Sequence, residues 1–252
     1  GPTAIAILIL GAILILVRNY VSHRKELEAE KNNDALTKAE SQSVFGVVEE
    51  SSSNIAKASK KIKAIYSSSV EGLGSADLDL LKKNKKTVSK LSGEVDDLRN
   101  DLFYFIKNLE EDTIKAASNF YINMLTYLQD ISESLEYISK ITYKHINNNH
   151  KNLTYNQIRE LKEVETKCSA LFDEIKFIFS KGDFSELNSI IGKKEEFNIF
   201  LKEKIDTQIS RTKKEESSPK NTTLYFSILI ETKEMVENTI NLLELFKEST
   251  NK

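Results

Sequence analysis

Proline, glycine and cysteine are scarce in this chain. Its 252 residues include two prolines, eight glycines, one cysteine and no tryptophan. Because helix-breaking residues are few while Lys, Glu, Leu and Ile are abundant, the composition predicts long helices. The single cysteine, Cys168, excludes a disulfide within the chain and is typical of a reducing compartment. It lies in an apolar helical stretch, so we expect a buried core thiol and not a nucleophile.

A strong net charge is also lacking. The chain carries 36 basic and 38 acidic residues, for a net charge of -2. It therefore has no overall basic field that would recruit nucleic acid, and we expect no nucleic-acid partner. The sequence contains no Gly-rich phosphate loop, nucleophile elbow or His-Glu metalloprotease motif. We therefore predict that the chain is not an enzyme, and we assign no catalytic residue.

One long stretch without charge stands near the N-terminus, from Thr3 to Val17. At about 1.5 Å per residue it reaches only ~22 Å, against ~30 Å for a hydrocarbon core. We interpret residues 1–25 as the end of a transmembrane helix followed by a basic juxtamembrane segment. The basic residues favour the cytoplasmic side for everything after about residue 25. The alternative is a helix buried against the soluble domain. Residues 26–43 are polar and predict a linker or helical stalk.

Apolar residues at helical spacing predict six further helices. Ser75 is a plausible N-cap for the second helix, and residues 110–113 form a turn before the third. Thr154 with Gln157 predicts a capping box for the fourth helix, and Asp183 with Glu186 predicts another for the fifth. Glycines predict a loop at 67–76, and a polar stretch containing a proline predicts another at 212–221. The predicted helices are 44–66, 77–109, 112–150, 154–181, 183–211 and 222–246.

The third of these helices carries the longest apolar stripe in the chain. Alternating steps of four and three residues keep one face of a helix together, and flanking residues such as Phe120 and Ile141 widen that face. So broad a face needs more than one neighbour, which favours the central helix of an antiparallel bundle. Since His145 lies on the stripe, we expect it to be a packing histidine. The stripe consists of Ala117, Tyr121, Met124, Leu128, Ile131, Leu135, Ile138, Thr142 and His145.

An internal repeat links the third helix to the sixth. When residues 121–138 are aligned with residues 225–242, Tyr121 matches Tyr225 and Asp130 matches Glu234. The repeat predicts two three-helix units, residues 44–150 and 151–252, packed into one all-α six-helix bundle.

This organisation resembles the PhoU domain, a tandem repeat of three helices with its signature on the third helix of each repeat. Three stretches resemble the cytoplasmic C-terminal extension of bacterial inorganic phosphate transporters of the PiT type. They are NDLFYFIKNLEEDTIKAASNFYI (100–122), SLEYISKITYKHINNNHKNLTYNQIRELK (134–162) and SPKNTTLYFSILIETKE (218–234). The resemblance implies a regulatory domain of a phosphate transporter in the bacterial inner membrane. It also implies that the transport domain, which handles phosphate, belongs to the same polypeptide and that the domain can form a homodimer.

PhoU proteins carry an acid-x-x-x-acid motif on the third helix of each repeat, where metal clusters can bind. Here Gln129 and Lys233 replace the first acid, while Glu133 and Glu237 keep the second. A hard cation requires several oxygen ligands, and Lys233 adds a positive charge instead. We therefore predict no metal ligand and no cofactor. Instead, we expect a partner-binding surface on the acidic residues that recur in both halves: Asp130, Glu133, Glu234 and Glu237.

Three other acidic positions are weaker candidates for a site. Asp97, Asp101 and Glu94 share one helix face, which suits a metal or a basic partner, although exposed charge is the simpler interpretation.

A different interpretation of the whole chain also remains open. It is a membrane-tethered structural or signalling module for dimerisation, unrelated to phosphate. The width of the apolar face and the short turns favour the compact bundle over that alternative.

Overall fold

Six helices and their short connections make up the part of the chain that the structure, a computed structural model, describes. That part comprises residues 56, 59–107 and 111–250, and it contains no strand. For residues 94, 95, 97–107, 111–118 and 250, only the backbone is described. The predicted all-α class is confirmed. The helices are α1 (59–75), α2 (Leu78–Lys107), α3 (Glu111–Asn147), α4 (Tyr155–Lys181), α5 (Leu187–Lys213) and α6 (Pro219–Thr250).

Successive helices run in opposite directions and form an antiparallel bundle. Among the interfaces between helices α2 to α6, the most extensive joins α3 to α6, and α2 also packs on α3. Helix α6 also contacts α5 and α4, which contact each other. Helix α1 lies against α6, where the Tyr66 and Thr232 hydroxyls are 2.7 Å apart, and against α4, where Lys63 donates to Asp173. Helices α3 and α6 therefore lie at the centre of the bundle.

The predicted stripe on α3 is the centre of the core. Each of its members with a described side chain, from Tyr121 to His145, is buried and at most 4% exposed. The burial of this stripe confirms the predicted face of the helix. The flanking residue Phe120 packs edge-on against Phe246 near the end of α6, with ring centroids 5.3 Å apart. At the other end of α3, the Asn221 side chain of α6 donates to the Asn152 carbonyl at 3.2 Å. These contacts establish that α3 and α6 are antiparallel.

The predicted loop at 67–76 is wrong for all but its last residue, because α1 continues to residue 75. Serine hydroxyls within the segment donate to carbonyls one turn earlier, as Ser69 does to Ile65 at 2.9 Å. Gly72 is buried, and a Cβ there would lie 2.8 Å from the Leu81 side chain. The glycine therefore permits close approach of α1 and α2 instead of breaking the helix.

Two of the predicted helix caps are also wrong. Asp77, not Ser75, caps α2, because its carboxylate accepts from the Leu80 amide at 3.1 Å. At α5 the Asp183 carboxylate accepts from the Ser185 amide at 3.0 Å, and the helix begins later, at Leu187, without a side-chain cap. In contrast, the capping box at the start of α4 is confirmed, and Gly182 ends that helix in the left-handed conformation with φ 63°.

The remaining boundaries differ by a few residues. Helix α5 extends to Lys213 and α6 begins at Pro219, so the loop predicted at 212–221 is shorter. Proline is tolerated in the first turn of a helix because its missing amide would have no partner there. Helix α3 begins at Glu111, so the turn predicted at 110–113 is helical from that residue. Helix α6 continues to Thr250. The predicted start of the first helix, residues 44–55, lies outside the described residues.

Candidate functional site

A buried polar network closes the end of the bundle where α4 and α6 begin and α5 ends. The Gln157 amide donates to the Gln208 oxygen and to the Ser217 hydroxyl, each at 3.1 Å. Arg211 of α5 donates to the Glu160 carboxylate of α4 at 2.6 Å and also to Gln208. Because buried polar groups are costly to leave unpaired, these contacts fix where α5 ends and α6 begins.

A groove lies beside this network, between the end of α3 and the start of α6. We call it the basic groove. It has a volume of about 400 Å³ and includes the side chains of Tyr137, Ile141 and Leu224. Its basic lining residues are Lys144, His145, His150 and Lys220. No aspartate or glutamate lines it.

The basic groups of the groove lie close together. The Lys220 ammonium is 3.3 Å from the His150 ring nitrogen, and the rings of His145 and His150 have centroids 5.3 Å apart. His145 is buried and its Nε2 is 2.9 Å from the Lys151 carbonyl, as expected for a packing histidine. Burial lowers the pKa of His145, and the nearby His150 and Lys220 lower it further. The two lysines give the groove a positive field beside the buried ring of His145.

Sequence reasoning missed this groove. It combines residues 137–150 of the first half with residues 219–227 of the second half. The closely spaced His145 and His150 were the only local signal. The missing element, Lys220, is 70 positions from His150 in the chain. Only the antiparallel packing of α3 on α6 shows that these groups meet.

The two acidic residues predicted on α3 lie one turn apart. Asp130 is partly buried and Glu133 is exposed. Burial raises the pKa of Asp130, and the neighbouring Glu133 adds to the effect. The Gln129 amide donates to the Glu133 carboxylate at 2.9 Å. In this window of the sequence motif, the glutamine therefore supplies a hydrogen-bond donor where an acidic residue would supply a second carboxylate.

The two acidic residues predicted on α6 have different surroundings. Glu234 is exposed, whereas Glu237 is partly buried and lies 3.8 Å from the Lys194 ammonium of α5. Among the described residues, no group of three or more His, Cys, Asp or Glu side chains is arranged to hold a metal ion. The assignment of Asp130, Glu133, Glu234 and Glu237 to a partner surface stays a prediction. The side chains of Asp97, Asp101 and Glu94 lie outside the described residues.

The cysteine lies where its sequence context predicts. Cys168 is fully buried on α4, and burial raises the pKa of its thiol far above the usual range. A thiol that stays protonated is a poor nucleophile and a poor metal ligand. The prediction of a core thiol is therefore confirmed.

Comparison with known proteins gives no relative from which a function could be transferred. No family model, no curated protein and no solved structure matches this chain. No helix within the described ranges is long and apolar enough to cross a membrane. The transmembrane segment predicted within residues 1–25 lies outside those ranges. Any functional assignment therefore depends on the residues themselves.

Proposed function

We propose that this chain is a cytoplasmic regulatory domain of the PhoU type, belonging to an inorganic phosphate transporter of the bacterial inner membrane. Residues 1–25 would be the end of the last membrane helix, and everything after them would lie in the cytoplasm. The domain would act through contacts with the transport domain of the same polypeptide, either alone or as a homodimer. It would perform no chemistry and require no metal or cofactor.

The observation that carries the proposal is the matched burial of α3 and α6. In the repeat alignment Tyr121 matches Tyr225, and Met124 matches Ile228. All four of these residues are at most 1% exposed. Further along, Ile131 matches Met235, at 2% and 0% exposure. Matched positions thus face the core in both helices, as expected of two copies of one unit.

The arrangement of the remaining helices agrees with two such units. Helix α2 packs on α3 within the first half, and α5 packs on α6 within the second. The corresponding helices of the two halves also meet, α1 with α4 and α3 with α6. A tandem repeat whose equivalent helices pair across an approximate two-fold axis would produce this set of contacts.

Regulation by such a domain requires a surface that differs in contact between two states of the transporter. The acidic positions of α3 and α6 remain the candidates. Glu133 is exposed, and Glu237 has only a long, partly exposed pairing with Lys194. Neither carboxylate is committed to a buried ion pair, so both can meet a basic cytoplasmic loop at little cost to the bundle.

The test is phosphate uptake by the full-length transporter carrying Glu133→Lys and Glu237→Lys together. We expect helical content and thermal unfolding close to those of the wild type, with uptake changed by about fivefold or more. A matched control reverses two exposed acids of α5, Glu203→Lys with Asp206→Lys. It changes the total charge equally and should leave uptake unaltered.

Unchanged uptake in the Glu133 and Glu237 variant would contradict regulation through this surface. Uptake altered equally by both double variants would show a general effect of charge, which would also contradict it. If removal of the whole bundle left uptake unchanged, the alternative of a structural dimerisation module would be favoured.

A further inference from the structure

The basic groove gathers basic side chains and lacks the carboxylates that pair with several cations elsewhere in the described part of the bundle. In the described part of the chain, Lys63 pairs with Asp173 and Lys204 with Glu163, at 2.8 and 2.7 Å. Arg211 pairs with Glu160 at 2.6 Å. The lining of the groove contains four basic residues and no acidic residue. Its positive field is therefore not neutralised by the groove itself.

Helix stability explains the position of Lys144 but not that of Lys220. Lys144 occupies the last turn of α3, where a cation interacts favourably with the helix dipole. Lys220 occupies the first turn of α6, where a cation is unfavourable and where no acidic residue compensates. Its ammonium donates a hydrogen bond to the ring nitrogen of His150, which is 3.3 Å away. Lys220 is exposed and no carboxylate lines the groove beside it, which leaves its charge available to an anion.

We propose that the basic groove binds a soluble phosphate monoester, with the phosphoryl group between Lys144, His150 and Lys220. A dianionic phosphoryl group would neutralise the clustered charges and accept charge-assisted hydrogen bonds. The hydroxyls of Thr223 and Ser227, which also line the groove, offer further donors.

The rest of the groove suits an organic body on that phosphate. Tyr137 is 44% exposed, and it lines the groove together with Ile141 and Leu224. An exposed aromatic ring beside aliphatic side chains can hold a flat ring by stacking. The volume of about 400 Å³ lies within the range of small-molecule sites. A nucleoside monophosphate combines the ring and the phosphoryl group that such a site requires.

A soluble ligand is favoured over a lipid headgroup by the position of the groove, a step that relies on the proposed membrane attachment. Helix α1 runs parallel to α3, since both are antiparallel to α2. Gly74, near the end of α1, faces Ile158 near the start of α4, which is the end of the bundle that holds the groove. The first described residues of α1 are about 24 Å further along the bundle, at the end from which the preceding chain enters.

Binding is measured by calorimetry on the chain of residues 1–252 in detergent micelles at low ionic strength. The probes are adenosine monophosphate, adenosine and inorganic phosphate. We expect the monophosphate to bind more tightly than inorganic phosphate, and adenosine to bind least. Lys144→Ala with Lys220→Ala should weaken binding of the monophosphate roughly tenfold or more. Tyr137→Ser should weaken binding of the monophosphate while leaving that of inorganic phosphate unchanged.

The matched control replaces two exposed lysines that do not line the groove, Lys140→Ala and Lys202→Ala. It removes the same charge and should leave affinity unchanged, with thermal unfolding showing that every variant folds. Equal weakening by both double variants would overturn the proposal, as would no binding of the monophosphate up to about 1 mM. Binding only to vesicles of phosphatidylcholine with phosphatidic acid would overturn the soluble source. Since no transport is measured, these outcomes are independent of the uptake test.

Discussion

Two antiparallel helix pairs in this bundle, α3–α6 and α4–α5, are held together in different ways. The α3–α6 interface is apolar, from the Phe120 and Phe246 rings through the buried stripe on α3. The contacts between α4 and α5 include the pairs Lys204–Glu163 and Arg211–Glu160. Part of the apolar face of α4 lies against α6, where the rings of Phe179 and Phe246 have centroids 5.5 Å apart.

The difference bears on how each pair responds to change. An apolar interface depends on close packing and the exclusion of water, so a substitution at almost any position within it lowers the free energy of unfolding. A polar interface depends on particular atoms, and only its buried members have large effects. Changes in the α3–α6 interface should therefore affect the folding of the whole domain. Changes in the α4–α5 interface should mainly affect how the ends of these two helices are aligned.

The strongest way to break the central pair is Leu128→Asp on α3. Leu128 is 3% exposed, and an unpaired carboxylate there should cost about 4 kcal/mol or more in the free energy of unfolding. Lys140→Asp, at an exposed position on the same helix, should cost little. Urea unfolding followed by circular dichroism measures both. Equal unfolding midpoints would contradict the placement of the α3 stripe at the centre.

The second largest effect on stability is expected from Arg211→Ala, at the buried end of the α4–α5 interface. The side chain of Glu160 is 4% exposed, so the variant would leave a buried carboxylate without its cation. We expect a loss of about 3 kcal/mol in the free energy of unfolding. Arg211→Met combined with Glu160→Leu should recover much of that loss, because no unpaired charge remains. A double variant as unstable as the single one would show that packing, not charge, dominates at this contact.

The sequence is informative about the apolar pair for a physical reason. A repeating stripe on one helix is a local pattern, and it correctly predicted the buried positions from Tyr121 to His145. The capping box of Thr154 and Gln157 is equally local, since both partners lie within one turn. The prediction of a loop at 67–76 was wrong because Gly72 is required by the close approach of Leu81 on the neighbouring helix, which the local sequence does not show.

Features that join distant segments could not be derived in the same way. The contact between Lys220 and His150 joins the start of α6 to the loop after α3. The pairing of Glu237 with Lys194 likewise depends on how α5 lies along α6. Periodicity assigns each of these residues to a helix face or a loop, but it does not state which faces meet. The acidic surface was predicted from the internal repeat and the PhoU motif, whereas the basic groove required the packing.

A smaller effect, on the pH dependence of stability, is expected at the end of α3, where His145 lines the basic groove. Since its pKa is lowered in the folded chain, the unfolded chain binds the proton more readily. Stability should therefore fall as pH drops through the usual histidine value of about 6.5. His145→Gln cannot titrate and retains a donor for the Lys151 carbonyl, so it should lose less stability between pH 7 and pH 5. Parallel stability profiles for wild type and variant would contradict this.

The smallest effect is expected at the exposed part of the α4–α5 interface, from Lys204→Met. The Glu163 side chain is 41% exposed, so the ion pair should contribute only about 0.2–1 kcal/mol at neutral pH. The hydrogen bond from Lys204 lowers the pKa of Glu163, so this contribution is present at neutral pH and is lost as pH falls through the pKa of the folded state. The stability difference between wild type and variant should accordingly shrink towards zero in acid and in high salt. Methionine preserves much of the packing that the lysine stem makes on Phe200, over which the ammonium lies 4.7 Å from the ring centroid. A loss comparable to that of Arg211→Ala would show that burial does not separate the strong polar contacts of α4–α5 from the weak ones, and the contrast with α3–α6 would then need another cause.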